Sequence, residues 1–373
     1  MAFAMTDLVG CEFPLFAFSH CRDVVVAVSR AGGFGMLGAS SFTPEQLEQE
    51  LAWIDAHVEG KPYGVDVLIP ENQPVGREVT VDQLADSIPT VHREFLRDLL
   101  SKHDIAMDPD QMIGRRRPST LPDVGEALMD VAFQHRIRLI ANALGLAPPA
   151  MIERGKQHGV PVAALVGAKE HALRQVGAGV DLLVVQGSEA GGHCGEVSTM
   201  VLVPEVIRAV KRVREVPVLA AGGIMTGRQM AGCMAMGAAG VWTGSVWLAT
   251  TESETSEVFR EKMIAATSRD TVRSKARTGK PSRQLRSSWH DAWEGPDSPG
   301  ALPMPTMGML SSRAFRAIDK AAAGGNPKAR ELVSYWVGQG VGLVDSVRSA
   351  AGVVQDFKEE FAEALADMQV IAE

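Results

Sequence analysis

Eight short apolar runs recur between residues 13 and 245 of this chain, and helical patterns fill most of the intervals. They read FPLFAF (13–18), FGMLG (34–38), PYGVDVLI (62–69), IRLIANA (137–143), VPVAALV (160–166), VDLLVVQG (180–187), VPVLAAGG (216–223) and AGVWTGS (239–245). Most are continuously apolar rather than alternating. That is the requirement for strands buried on both faces, as in a parallel sheet covered by helices. Eight such strands alternating with helices predict an α/β fold of the (β/α)8 TIM-barrel type, with a doubly wound sheet as the structural competitor.

The helical intervals carry their own signals. In TPEQLEQELAWIDAHV (43–58), Thr43 is placed as an N-cap, Pro44 as the first helical residue and Gln46 as the partner reaching back. PEVIRAVKRV (204–213) sets Val206, Ile207 and Val210 on one face. Two stretches break the rhythm. Residues 71–136 are long for one connection and contain GRRRPST; residues 268–308 are rich in Arg, Lys, Pro and Gly, and helical patterns follow at 310–323 and 329–350. Both read as insertions over the barrel mouth. The expected organisation is a barrel over 1–265, a small, mainly helical lid over 266–330, and a helical segment over 331–373 that returns to the barrel.

Composition narrows the function. Hydrophobic residues make up 46% and charged residues 22%, which suits a packed globular enzyme and not a disordered chain. A net charge of −8 would repel nucleic acid. The start MAFAMTDLVGCEFPLF has no basic n-region, and no apolar run approaches the roughly 20 residues of a membrane span. The four cysteines form no CxxC pair, so neither a disulfide framework nor a metal site is expected, and a cytoplasmic setting fits best.

Chemistry is expected where strands end. After the sixth run comes QGSEAGGHCG (186–195), a histidine set among Gly191, Gly192 and Gly195. Glycine is entropically costly in an ordered chain, and a merely structural histidine needs no such setting. The arrangement suits close approach of the backbone to a flat ligand, with His193 beside it. A second cluster lies at Gly222–Gly223 and at Thr243, Gly244 and Ser245. There glycine amides, hydroxyls and a helix N-terminus suit a phosphate. No dinucleotide fingerprint follows a strand, because GGFGMLG (32–38) runs into one. The stretch 268–286 carries seven Lys/Arg against one acid, and reads either as a solvated lid face or as a receiver of phosphates.

Together QGSEAGGHCG, AAGGI (220–224), GVWTGS (240–245), AGGFGMLGA (31–39) and YWVGQGVGLVD (335–345) resemble the nitronate monooxygenases, formerly 2-nitropropane dioxygenases. The resemblance implies an FMN-dependent TIM barrel. FMN would contact the backbone near Ala17 and Phe18, together with Asp66, Gln186, Gly191, Gly192, Gly222 and Gly223, its phosphate would lie at Thr243, Gly244 and Ser245, and His193 would be catalytic. Three departures stand out: Asp66 where the family commonly has Asn, Trp242 where it commonly has Gln, and ANALG (141–145) on the fourth strand. The expected activity is oxidative denitrification of alkyl nitronates with O2. Two alternatives remain. One is an NAD(P)H-dependent flavin reductase acting on quinones or on enoyl thioesters of CoA or a carrier protein. The other is a non-redox phosphate-binding barrel, an aldolase or isomerase, for which Lys169 is the one candidate Schiff-base lysine.

Overall fold

The computed structural model describes residues 5–71, 79–108, 111–115 and 121–372. Eight parallel strands close on themselves in chain order. They are β1 (Leu15–Ser19), β2 (Phe34–Gly38), β3 (Tyr63–Leu68), β4 (Leu139–Ala143), β5 (Val162–Val166), β6 (Leu182–Gln186), β7 (Val218–Ala221) and β8 (Gly240–Thr243). Closure is made by β8 against β1, where Thr243 lies opposite Ala17. All eight sequence runs become barrel strands, so the TIM barrel stands and the open doubly wound sheet does not.

The reason the runs are continuously apolar is visible in the two clusters they feed. Phe16, Phe34, Met36, Leu139, Ala141, Ala163, Leu182, Val184, Leu219, Ala221 and Trp242 fill the barrel interior. The alternate residues, among them Leu15, Ala17, Val65, Val67, Ile140, Val162, Leu183, Val185, Val218 and Val241, pack outward against the helices. Both faces of every strand are therefore dry, each buried aliphatic side chain contributing about 1.5–3 kcal/mol of transfer free energy.

The first helix predicted forms as read. Pro44–His57 opens with both bonds of a capping box: Gln46 N–H donates to Thr43 Oγ1 at 3.2 Å, and Thr43 N–H donates to Gln46 Oε1 at 3.0 Å. The second begins earlier than its pattern suggests, at Thr199, and carries Pro204 inside it. Its start is fixed by a carboxylate outside the helix, described below.

A second apolar cluster lies outside the barrel. It joins Leu84, Leu96 and Leu100 from the helices Val81–Asp86 and Thr90–Lys102 to Trp289, Trp293, Leu310, Phe315, Val333 and Val337. The stretch 71–136 is thus divided. Its helices Val81–Asp86 and Thr90–Lys102 pack in this cluster, whereas Pro122–Ala132 packs on β3 and on Pro44–His57 as a barrel helix. Most of GRRRPST lies outside the described residues. The pattern over 329–350 is helical only to Leu332. Beyond it the chain runs extended, Trp336 bridges to Gln284, and a short 3-10 turn spans Gln339–Leu343. Val333, Val337 and Val341 are buried at a spacing of four, which is a period of a strand face as well as of a helix face, so the sequence reads either way. The closing helix, Ala350–Ala372, lies on the barrel: Glu360 accepts from Gly227 N–H at 2.7 Å and Lys358 Nζ donates to the Ala31 carbonyl at 2.8 Å. Among the described residues no helix is long and apolar enough to cross a membrane.

At the centre of the second cluster sits a cation. Arg277 is buried, its guanidinium 3.6 Å from the Phe315 ring centroid; Nε donates to Gln284 Oε1 at 2.8 Å and Nη2 to the Ser334 carbonyl at 2.6 Å. Burial lowers its pKa to about 10, so it remains charged at neutral pH. The planar donor fork and the stacking contact are both properties of arginine. Arg277→Ala should cost about 3 kcal/mol by stranding these buried acceptors, and Arg277→Lys should recover little of it. Urea unfolding of the two variants checks both.

Candidate active site

β6 ends at Gln186, and the loop that follows is held from three sides. Within it, the Glu189 carboxylate accepts from Thr199 N–H (3.2 and 2.9 Å to its two oxygens) and from Thr199 Oγ1 at 3.0 Å. A carboxylate at a helix start satisfies an otherwise orphan amide and complements the helix dipole, which is why the helix begins at Thr199. From the C-terminal side, Gln339 N–H donates to the Glu189 carbonyl at 2.8 Å, and Gly338 N–H donates to Ser245 Oγ at 2.8 Å. The contact is backbone on backbone: a Cβ on Gly191 would stand 2.8 Å from Gly338 N, and one on Gly338 would stand 2.6 Å from the Glu189 carbonyl oxygen. Glycine at both positions is required by that approach.

The third side is a hairpin, β9 (Thr271–Ser274) with β10 (Ser282–Leu285). Gly192 N–H donates to the Arg283 carbonyl at 3.0 Å and Arg283 N–H to the Gly192 carbonyl at 2.8 Å. The Arg283 side chain completes the clamp, with Nε on the Ser188 carbonyl at 2.9 Å and Nη1 on Thr271 Oγ1 at 3.0 Å. His193 follows directly. Its Nδ1 lies 3.1 Å from the Pro281 carbonyl. A carbonyl only accepts, so Nδ1 carries the proton and the neutral ring keeps its lone pair on Nε2. Burial, helped by the positive charge of Lys280, pushes the imidazole pKa below its ordinary value.

The mouth of the barrel supplies the rest. Asp66 stands on β3 between Gly38 of β2 and Ala141 of β4, only 7% exposed. No side-chain donor or cation among the described residues bonds its carboxyl, and burial alone raises its pKa to about 8. Gln186 pairs with Ala221 of β7. Gly222 and Gly223 follow β7 with φ of 113° and 73°, the left-handed region where glycine is favoured. A Cβ added at Gly244 would meet nothing within 4 Å, and the same holds at Gly192, so both open on free space.

Several expected roles change at atomic level. The Ala17 side chain faces outward into the helix layer, which leaves for the mouth the backbone already named in the expectation. Phe18 and Trp242 form a floor with Phe16: Trp242 stacks on Phe16 at 6.3 Å and on Phe18 at 6.1 Å, which explains the tryptophan as interior packing. The Thr243 hydroxyl is committed, donating to the Phe16 carbonyl at 3.1 Å and accepting from Trp247 Nε1 at 3.0 Å. Of the second cluster, the Thr243 hydroxyl is thus spent within the fold, whereas Gly244 opens on free space. Lys169 is tied to Glu205 at 3.2 Å on the surface, and that hydrogen bond raises its pKa, the opposite of what a Schiff-base lysine needs. The basic stretch is divided: Arg277 and Arg283 serve as above, whereas Arg273 pairs with Glu196 and Arg286 with Asp291 at the surface. Glu189, Thr199 and Arg283 were missed as site builders. Glu189 lay in plain view in the glycine motif, ten residues before a helix start that sequence periodicity did not place.

The family model for nitronate monooxygenase matches residues 4–360, and the chain belongs to that family. It is accordingly an oxidoreductase of a flavin-dependent class. It is 53% identical over 374 residues, 98% of each chain, to a putative monooxygenase of Mycobacterium tuberculosis. Among solved structures it is similar to a nitroalkane oxidase from Streptomyces ansochromogenes (26% identity, TM-score 0.79, 98% of this chain and 99% of that one). FabK from Thermotoga maritima is also similar (26% identity, TM-score 0.72, 98% of each).

Glu189→Ala removes the carboxylate cap and should cost about 1–2 kcal/mol of stability. Glu189→Gln, which still accepts from Thr199, should cost less. Thermal unfolding of the pair measures the difference.

Proposed function

We propose that the protein is an FMN-dependent enzyme that oxidises alkyl nitronates with O2, and that His193 is the base that forms the nitronate where a neutral nitroalkane is supplied. The observation that carries this reading is the tautomer of His193. With Nδ1–H fixed on the Pro281 carbonyl and Nε2 left as an acceptor, the neutral ring is set to take a proton.

Family membership and the shape of the mouth support the cofactor. The residues fit a flat ligand with an anionic tail: open space beside Gly192 and Gly244, positive-φ glycines after β7, and a carboxyl of the inner wall without a partner. FMN would be held by the backbone of Ala17 and Phe18, by Asp66 and Gln186, and by the glycines at 191–192 and 222–223, its phosphate against Thr243 backbone, Gly244 and Ser245. When bound, FMN accepts electrons from the substrate and passes them to O2.

The protein's own part is positional and protolytic. A neutral nitroalkane would lose its α-proton to His193 Nε2, the electron pair remaining on the nitronate thus formed. A nitronate supplied as such is already an anion and needs no base. The Phe18–Trp242 floor excludes water from below. The Pro281 contact keeps the imidazole from turning away, and the Arg283 clamp keeps the loop from lifting.

A second reading rests on a specific feature. Arg269, Lys275 and Lys280 have no carboxylate partner among the described residues, and would suit a phosphate-bearing co-substrate such as NAD(P)H or an acyl-CoA. The similarity to FabK is compatible with it.

The test is oxygen consumption and nitrite release with a simple nitroalkane and its nitronate. His193→Ala should lower turnover of the neutral nitroalkane by about two to four orders of magnitude, the usual worth of general-base catalysis. Because burial lowers the His193 pKa, the base form persists below pH 6.5, so kcat/KM for the nitroalkane should stay level at pH 6.5 and fall only under more acid conditions. Lys280→Gln removes a charge that helps keep the ring neutral, and should move this acid limb to higher pH. An unchanged limb would remove Lys280 from the account.

A further inference from the structure

We infer that Asp66 works as a neutral carboxylic acid, donating its O–H to an acceptor atom of the ligand seated in the barrel mouth. This rests on the flavin reading above and adds to it the protonation state and direction of one contact.

The geometry carries the argument. Asp66 follows the alternation of β3: Val65 and Val67 point outward into the helix layer, so Asp66 points inward. Its neighbours in register, Gly38 and Ala141, have no polar side chain. The barrel interior toward which it points is lined by apolar side chains, among them Met36 and Ala141 of the neighbouring strands. A carboxylate there would be an uncompensated charge next to apolar side chains, which a protein avoids by keeping the proton. A protonated carboxyl is a donor as well as an acceptor.

The surrounding groups do not supply a counter-charge. On β1's side, His20 has Nδ1 on the Gly38 carbonyl at 2.8 Å and is pushed toward its neutral form by burial. On the loop leaving β3, Glu71 is paired with Arg174, so neither is free to act on Asp66. From the β6 loop, His193 is likewise held toward neutrality. The β4 neighbour Asn142 is turned away, its amide bonded to the backbone of Ile69. An asparagine at position 66 would offer the same kind of donor at every pH; an aspartate offers it only while protonated. The chain therefore carries a pH limit on ligand binding that an amide would lack.

The experiment compares the full-length protein with Asp66→Asn and Asp66→Leu. Each is freed of flavin and titrated with FMN by fluorescence quenching between pH 6 and pH 9.5. Wild type and Asp66→Asn should bind alike at pH 6. Above about pH 8 the wild-type affinity should fall relative to Asp66→Asn by up to about tenfold per pH unit, the limit for one linked proton. Asp66→Leu, with no donor, should bind more weakly than both at pH 6. Parallel pH curves for wild type and Asp66→Asn would overturn the inference while leaving FMN binding intact. Failure of the wild type to bind FMN at any pH would instead overturn the flavin reading.

Thermal unfolding without flavin gives an independent check. The folded pKa is raised, so the unfolded chain releases the Asp66 proton first as pH climbs. Wild-type stability relative to Asp66→Asn should decline between about pH 4 and pH 8 and then level off. A constant difference over that window would mean that Asp66 is ionised in the folded protein, and the inference would fail.

Discussion

The two-way backbone bond between Gly192 and Arg283 is the constraint on which the site depends. It joins the loop after β6 to a hairpin ninety residues away, and so makes the barrel mouth and the second apolar cluster one assembly. Without it the loop after β6 would be a run of glycines with a histidine at its end. With it, the histidine is delivered against the Pro281 carbonyl, and the question of which ring nitrogen carries the proton is settled by a contact outside the barrel. The Arg283 guanidinium, spread between Ser188 and Thr271, makes the same tie a second time through its side chain.

This arrangement divides labour between two cores. The barrel, dry on both faces of each strand, supplies rigid positions for Asp66, Gln186 and the β7 and β8 turns. The second cluster, built around Arg277 and the tryptophans 289 and 293, holds the hairpin and the return segment 333–341 in place. The residues at the mouth therefore come from the barrel strands and the β6 loop, whereas the hairpin bonded to that loop is packed in the outer cluster. Arg277, within that cluster, bonds Gln284 of β10 and so braces the same hairpin.

Much of the barrel was legible because burial on both faces writes itself directly as continuous apolar runs, and all eight were found. Helix starts were legible where the cap is local, as at Thr43 and Gln46, and were misplaced where it is distant, as at Thr199, whose cap is Glu189. The return segment misled because valines at 333, 337 and 341 satisfy a strand face and a helix face equally. For the site, position along the strands pointed to Gly222, Gly223 and His193, and the family resemblance pointed to Asp66. It could not show that the Thr243 hydroxyl is spent on Phe16 and Trp247, or that two arginines of a conspicuous basic run are internal struts. Such facts depend on which partners the fold brings together, from Trp247 nearby to Phe16 and Ser188 far along the chain, which no local pattern encodes.

The account's central claim is that electrons enter the site from a nitronate and not from a nicotinamide. The direct measurement is an anaerobic titration of the FMN-loaded protein, following flavin absorbance, with ethyl nitronate in one arm and NADH and NADPH in the others. The account predicts that the nitronate changes the flavin spectrum promptly while both nucleotides leave it oxidised. Rapid bleaching by either nucleotide, with no response to the nitronate, would contradict it and make the protein a reductase whose lysines at 275 and 280 face a phosphate-bearing donor.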